Sequence, residues 1–131
     1  ASLPRGAAMA SRPFRCMLAV ALVLFAAKGV AAAELVMVER AGCVWCERWE
    51  RDVGPAYMKS DEGKRAPLRR ISLDRGQPRL SLKEPVRFTP TFILVEQDRE
   101  IGRITGYLDN AMFWGLLGNL LGKLGQPATK D

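Results

Sequence analysis

Two cysteines separated by two residues, Cys43 and Cys46, are the side chains in this sequence best suited to chemistry. They lie in Ala41-Gly42-Cys43-Val44-Trp45-Cys46, where an apolar run hands over to an amphipathic one. Two intervening residues at a helix start bring the sulfurs within bonding distance without straining the backbone. The same position tunes reactivity. The N–H groups of Trp45 and Cys46 can donate to the first sulfur, and the positive end of the helix dipole adds to this. Both effects lower a thiol pKa from about 8.5 toward neutrality, and the thiolate is the nucleophile. No Ser, Thr, Asp or Asn stands at the helix start, which makes the sulfur the natural cap. Cys43 would attack a disulfide to form a mixed disulfide, and Cys46, one turn inward, would attack the Cys43 sulfur and release the reduced product. Run backwards, the steps oxidise a dithiol, so a disulfide oxidase or isomerase is the alternative enzyme. Two other uses of the pair stay open. One is an inert bridge, although a two-residue loop removes little unfolded-state entropy. The other is a copper- or zinc-handling module, which would lack ligands beyond the two sulfurs.

Composition narrows the chemistry. The 131 residues fit one domain and include no histidine, which excludes Cys–His catalysis, mixed Cys/His zinc sites and haem attachment at the CxxC. No bound cofactor is expected. Residues 1–33 read as a signal peptide: Arg12 and Arg15, then the unbroken apolar run Met17 to Ala27, then small residues ending in Ala31-Ala32-Ala33. The run is far shorter than the roughly 20 apolar residues of a spanning helix. Cleavage near Ala33 would leave residues 34–131 as the mature domain, with an uncleaved anchor or a buried helix as the alternative. Met9 fits a natural start, which would leave Ala1 to Ala8 outside the native chain. The leader holds Arg5, Arg12, Arg15 and Lys28 and no acid, so the mature part carries 16 basic against 14 acidic residues, or +2. Its charges alternate, as in Glu47-Arg48-Trp49-Glu50-Arg51-Asp52, the pattern of a solvated helix face rather than of nucleic-acid binding. Cys16 departs with the leader, and Cys43 and Cys46 remain alone in an oxidising compartment.

The elements around the pair follow from periodicity. Leu35 to Glu39 reads as a strand and Val44 to about Met58 as a helix with Trp45, Trp49 and Val53 on one face, interrupted at Gly54-Pro55. Ser60 to Pro67 reads as a loop and Leu68 to Leu73 as a second strand. Arg75 to Pro85 is a connection with room for one helical turn. Thr91 to Glu96 is an apolar strand, Gln97 to Glu100 a hairpin turn and Ile101 to Thr105 its partner. Asp109 or Asn110 caps a last helix whose stripe is Phe113, Leu116, Leu117, Leu120, Leu121 and Leu124. The order predicts an α/β domain with a central sheet of about four strands. Trp49 and Trp114 read as core, and Gly118 and Gly122 as close packing on the sheet, with a dimer contact as the alternative.

A CxxC at a strand–helix junction, followed by Phe88-Thr89-Pro90-Thr91-Phe92 ahead of the most apolar strand, resembles the thioredoxin family over residues 35 to 122. Gly106, after the last strand, also matches a family glycine. The resemblance implies a thioredoxin-like fold, a central mixed sheet flanked by helices, with Pro90 as a cis-proline beside the CxxC. It implies that the backbone of Thr89 pairs with an extended substrate peptide. Within the family the chain is most similar to small periplasmic thioredoxin-like proteins of bacterial sulfur-oxidation (Sox) systems. That likeness implies reduction of a disulfide or thiol adduct on the Sox carrier protein, with electrons from a membrane thiol transporter of the CcdA or DsbD type. The chain departs from the family in three places. Gly42 replaces the tryptophan before the first cysteine, and Val44-Trp45 replaces Gly-Pro. The buried carboxylate would fall on Met37, which leaves Glu39, on the same strand face, as the nearest acid and its part as a proton relay open. Trp45 is expected either at the exposed tip, as a contact for a partner protein, or folded over the core.

Overall fold

Glu34–Glu39 forms strand β1, central because both of its faces are apolar: Leu35 and Met37 point to one side and Val36 and Val38 to the other. The computed structural model describes residues 2–4, 6 and 32–126, so almost all of the expected leader lies outside the described residues. After β1 come helices α1 (Val44–Asp52), α2 (Gly54–Lys59) and α3 (Asp61–Arg65), then strand β2 (Leu68–Ser72) and a 3₁₀ turn, Leu73–Arg75. Strands β3 (Thr91–Glu96) and β4 (Arg99–Thr105) and helix α4 (Asn110–Leu121) follow. The sheet order is β2-β1-β3-β4, with β1 parallel to β2 and antiparallel to β3, and β3 antiparallel to β4. This is an α/β domain with a mixed four-stranded sheet and the thioredoxin-like architecture.

The two faces are covered differently. Trp49, Val53 and Tyr57 of the first two helices and Phe113, Leu117 and Leu120 of α4 pack on Leu35, Met37, Phe92 and Leu94. The opposite face, Val36, Val38, Ile93 and Val95, is closed by Val86 and by Leu73, Leu80 and Leu82 of the long connection. Covering on both sides is why β3 reads as a continuous apolar run. Among the described residues no helix is long and apolar enough to cross a membrane.

Several local expectations are corrected. Residues 60–67 are not all loop: Ser60 caps α3 by accepting the Gly63 N–H at 2.9 Å, with Asp61 and Glu62 in the first turn and Lys64 and Arg65 in the last. Gly63 is required there because a Cβ would run into the Tyr57 carbonyl oxygen. The hairpin turn is only Gln97-Asp98, both at positive φ (53° and 59°), and Arg99 and Glu100 already belong to β4. Gly118 does not pack on the sheet: it is exposed, and a Cβ on it would meet nothing within 4 Å. The close helix–sheet approach is made instead at Gly102, where a Cβ would come within 2.6 Å of Leu120 Cδ2. Leu116, placed in the apolar stripe, is exposed.

Glu100 is buried because its charge is matched. Arg103 donates to it through Nε (2.6 Å) and Nη2 (2.8 Å), and the Lys83 N–H adds a third bond at 2.8 Å. Arg103 Nη2 also donates to the Glu84 carbonyl at 2.7 Å, so the pair ties the connection before Thr89-Pro90 to β4. Burial pushes the Glu100 pKa up, but the Arg103 and Lys83 bonds outweigh it and hold the group below the ordinary carboxylate range. A carboxylate held low contributes stability that is full above its unfolded pKa and is lost as pH falls through its folded one. Arg103→Met, which strands the carboxylate, should therefore destabilise the fold by about 3 kcal/mol at pH 7 in urea unfolding. Glu100→Gln should lose less stability than the parent between about pH 5 and pH 3. Parallel pH profiles would contradict this account.

Candidate active site

The site forms where the strands end together. In the β1–β3 register Val38 faces Thr91, so the next step along both strands sets Pro90 opposite Glu39, four residues before Cys43. Gly106 N–H donates to the Pro90 carbonyl at 2.7 Å, just beyond the Thr91–Thr105 pair. The end of β1 that leads to Cys43 and the Pro90–Gly106 contact thus lie at the same end of the sheet. The Thr89–Pro90 peptide bond is cis. Pro90 is buried, Thr89 half-buried and Phe88 exposed.

Between β1 and α1 the chain turns over Arg40–Cys43, with a Cys43 N–H to Arg40 carbonyl bond at 3.3 Å and Gly42 at φ +72°. That left-handed angle is what Gly42 permits, and a tryptophan in its place would be strained. Cys43 is the N-cap of α1, and its Sγ accepts the Cys46 N–H at 3.1 Å. Cys43 and Cys46 are joined as a disulfide with Cα atoms 5.2 Å apart. The sulfurs are unequally placed: Cys43 is half-buried, whereas Cys46, one turn inward, is 4% exposed and part of the core.

A cleft of about 290 Å³ opens beside the disulfide, lined by both cysteines and by Glu39, Glu47, Glu50 and Asp74 among others. Glu39 therefore opens on the sulfurs' cleft, while Met37 is fully buried in the core. Glu50 is occupied by a two-pronged contact from Arg70 at 2.6 and 2.9 Å. Asp74 accepts the Ala41 N–H at 2.9 Å, a contact across 33 residues that sequence reasoning missed. No local pattern marked it, because Asp74 reads as an ordinary turn residue. Among the described residues no group of three or more His, Cys, Asp or Glu side chains is placed to hold a metal ion.

Trp45 lies outside the buried helix face formed by Cys46, Trp49 and Val53; it is 49% exposed, with the Arg48 guanidinium 5.5 Å from its ring centroid. Val44 (67%), Phe88 (65%) and Leu108 (63%) are exposed as well; they lie in the CxxC, in the segment before Pro90 and in the loop after Gly106. That last loop is held to α1 by the Tyr107 hydroxyl, which donates to Asp52 Oδ2 at 3.1 Å. Burial first, and then Asp52, keep the Tyr107 hydroxyl above its ordinary pKa.

No protein-family model and no curated protein matches the chain. Among solved structures it is similar to the reduced form of the periplasmic thioredoxin SoxS from Paracoccus pantotrophus, at 41% identity and a TM-score of 0.67. The match covers 70% of this chain and 97% of that one. A thioredoxin-fold protein from Helicobacter pylori matches at 19% identity and TM-score 0.52, over 77% of this chain and 75% of that one. The germline-specific thioredoxin Deadhead of Drosophila melanogaster matches at 21% and 0.51, over 72% and 82%. The latter two bear on the fold alone.

The unequal burial makes a kinetic prediction. After reduction, iodoacetamide should modify Cys43 at least about tenfold faster than Cys46 at neutral pH, read by peptide mass spectrometry. Equal rates would contradict the capped, accessible placement of Cys43.

Proposed function

The chain belongs to the thioredoxin family and is a thiol–disulfide oxidoreductase; from that premise we propose that it is a periplasmic reductase of a partner protein, with Cys43 attacking and Cys46 resolving. The observation that carries this reading is the inequality of the two sulfurs, one at the open helix end and half-buried, the other in the core. The Cys43 thiolate attacks one sulfur of the substrate disulfide. A Cys43–substrate bond forms, the substrate bond breaks, and the departing thiolate takes up a proton. The deprotonated Cys46 then attacks Cys43 Sγ, closing the internal disulfide and releasing the substrate as a dithiol, so two electrons pass from protein to substrate.

Recognition is assigned to Thr89, Pro90 and Trp45. The half-buried Thr89, next to buried Pro90 where the chain enters β3, would offer its backbone for strand-like pairing with an extended peptide, and Trp45 supplies an exposed aromatic anchor. The substrate class is a protein disulfide or thiol adduct, and the similarity to periplasmic SoxS supports the Sox carrier protein as the partner. A membrane thiol transporter of the CcdA or DsbD type would return the electrons. Residues 1–33 would act as the export signal and residues 34–131 as the working domain.

Equilibration with glutathione buffers tests the direction. A potential well below about −200 mV supports the reductase, while one near about −120 mV would mark an oxidase of disulfide formation instead. Stoichiometric copper or zinc held through both sulfurs would replace the enzyme reading with metal handling. Cys46→Ser should accumulate a mixed disulfide at Cys43 with the partner, and Cys43→Ser should accumulate none; equal trapping overturns the order of attack. Trp45→Ala should lower kcat/KM for a protein disulfide by about tenfold, on the scale of a lost interface anchor, and leave reduction of a small aromatic disulfide unchanged. A loss equal for both substrates would remove Trp45 from recognition.

A further inference from the structure

We infer that Asp74 is a positioning residue for the attacking sulfur, its carboxylate anchoring the turn that carries Cys43. Strands β1 and β2 run parallel and end level, with Glu39 opposite Ser72 as their last pair. Two residues beyond each, the strand ends are joined by the Ala41 N–H, which donates to Asp74 Oδ2 at 2.9 Å. The Arg40–Cys43 turn is otherwise closed by one longer bond, the 3.3 Å contact from Cys43 N–H to the Arg40 carbonyl. Asp74 is itself held in place. Its N–H donates to Ser72 Oγ at 3.3 Å, and Leu73 beside it packs against the Val36 and Val38 cluster under the sheet. Among the described residues its carboxylate has one other contact: Ser72 Oγ stands 3.5 Å away, at the limit of a hydrogen bond. Asp74, Ala41, Gly42 and both cysteines line one cleft.

Two effects of this carboxylate on the Cys43 thiol oppose each other. Its negative charge disfavours a thiolate nearby. Its hydrogen bond keeps Cys43 at the cap, where the Cys46 N–H reaches Sγ at 3.1 Å and favours the thiolate. The sign of the change on mutation therefore separates anchoring from charge. Asp74→Asn keeps an acceptor oxygen and loses the charge, whereas Asp74→Ala loses both. Asp74 is exposed, and thermal melting checks that each variant is folded.

The experiment measures amide exchange at Ala41 in the oxidised full chain and the pKa of the Cys43 thiol in the reduced one. For Asp74→Ala we expect Ala41 exchange about tenfold faster, the scale of one lost charge-assisted hydrogen bond, and a thiol pKa moved up toward that of free cysteine. For Asp74→Asn we expect Ala41 protection within about threefold of the parent, and no rise in the thiol pKa. Unchanged Ala41 exchange in Asp74→Ala overturns the inference. So does faster exchange with an unchanged or lowered thiol pKa, which would leave only a charge effect, and so does equal loss of protection in both variants. The inference rests on Cys43 as the attacking sulfur. Ala41 exchange is read whichever sulfur attacks, and trapping on Cys46→Ser judges that assignment separately.

Discussion

A helix start needs acceptors for its first N–H groups, and α1 has no conventional capping side chain to supply one. The Cys43 sulfur fills the place, accepting the Cys46 N–H at 3.1 Å, and the rest of the site is arranged around that bond. The same N–H that caps the helix is the one that would stabilise a thiolate, so local folding and reactivity share one interaction. Gly42 at positive φ lets the chain leave β1 and enter the helix within a single turn. The sheet register then brings Pro90 and the Gly106 turn to the same end of the sheet as the end of β1.

The helix holds its position through aromatic packing. Fully buried Trp49 lies one turn past Cys46 and has ring-centroid distances of 5.0 Å to Phe92, 5.5 Å to Phe113 and 6.2 Å to Tyr57. Among the described residues its Nε1 finds no acceptor, and an unpaired buried donor costs about 1–3 kcal/mol. Burying the whole indole against three other rings outweighs this, since each such aromatic removes about 150–250 Å² from water. The exposed Glu50–Arg70 contact links α1 to β2 as well, but an ion pair open to solvent contributes only about 0–1 kcal/mol.

Around the disulfide the surface divides. One side is the cleft with its carboxylates, Glu39 of β1 among them, while Met37 two residues earlier is buried in the core. Away from the cleft, Val44, Trp45, Phe88 and Leu108 are large apolar side chains left in water. Single exposed apolar residues need no explanation, but two of these four, Val44 and Trp45, stand between the cysteines themselves. The segments of Phe88 and Leu108 are braced, the connection before Pro90 by Arg103 with Glu100 and the loop after Gly106 by Tyr107 with Asp52.

What could be read from the residues alone was whatever depends on near neighbours. The CxxC spacing, the apolar runs of β1 and β3, the Asp109 cap of α4 and the break at Gly54-Pro55 are local properties, and each is present in the fold. The short helix α3 was missed because four charged residues and a glycine show no apolar period, although the Ser60 cap was a signal. Trp45 fits a helical spacing with Trp49 and Val53 yet faces water, since periodicity cannot tell where a buried face begins at a helix end. Burial of Glu100, the open space at Gly118 and the Asp74 bond to Ala41 belong to tertiary structure alone. Each depends on which residues, 17 and 33 positions apart for Glu100–Lys83 and Asp74–Ala41, the sheet brings side by side. A sequence determines which groups can react; only the folded chain decides which carboxylate stands beside them, because charge and hydrogen bonding act through space and not along the backbone.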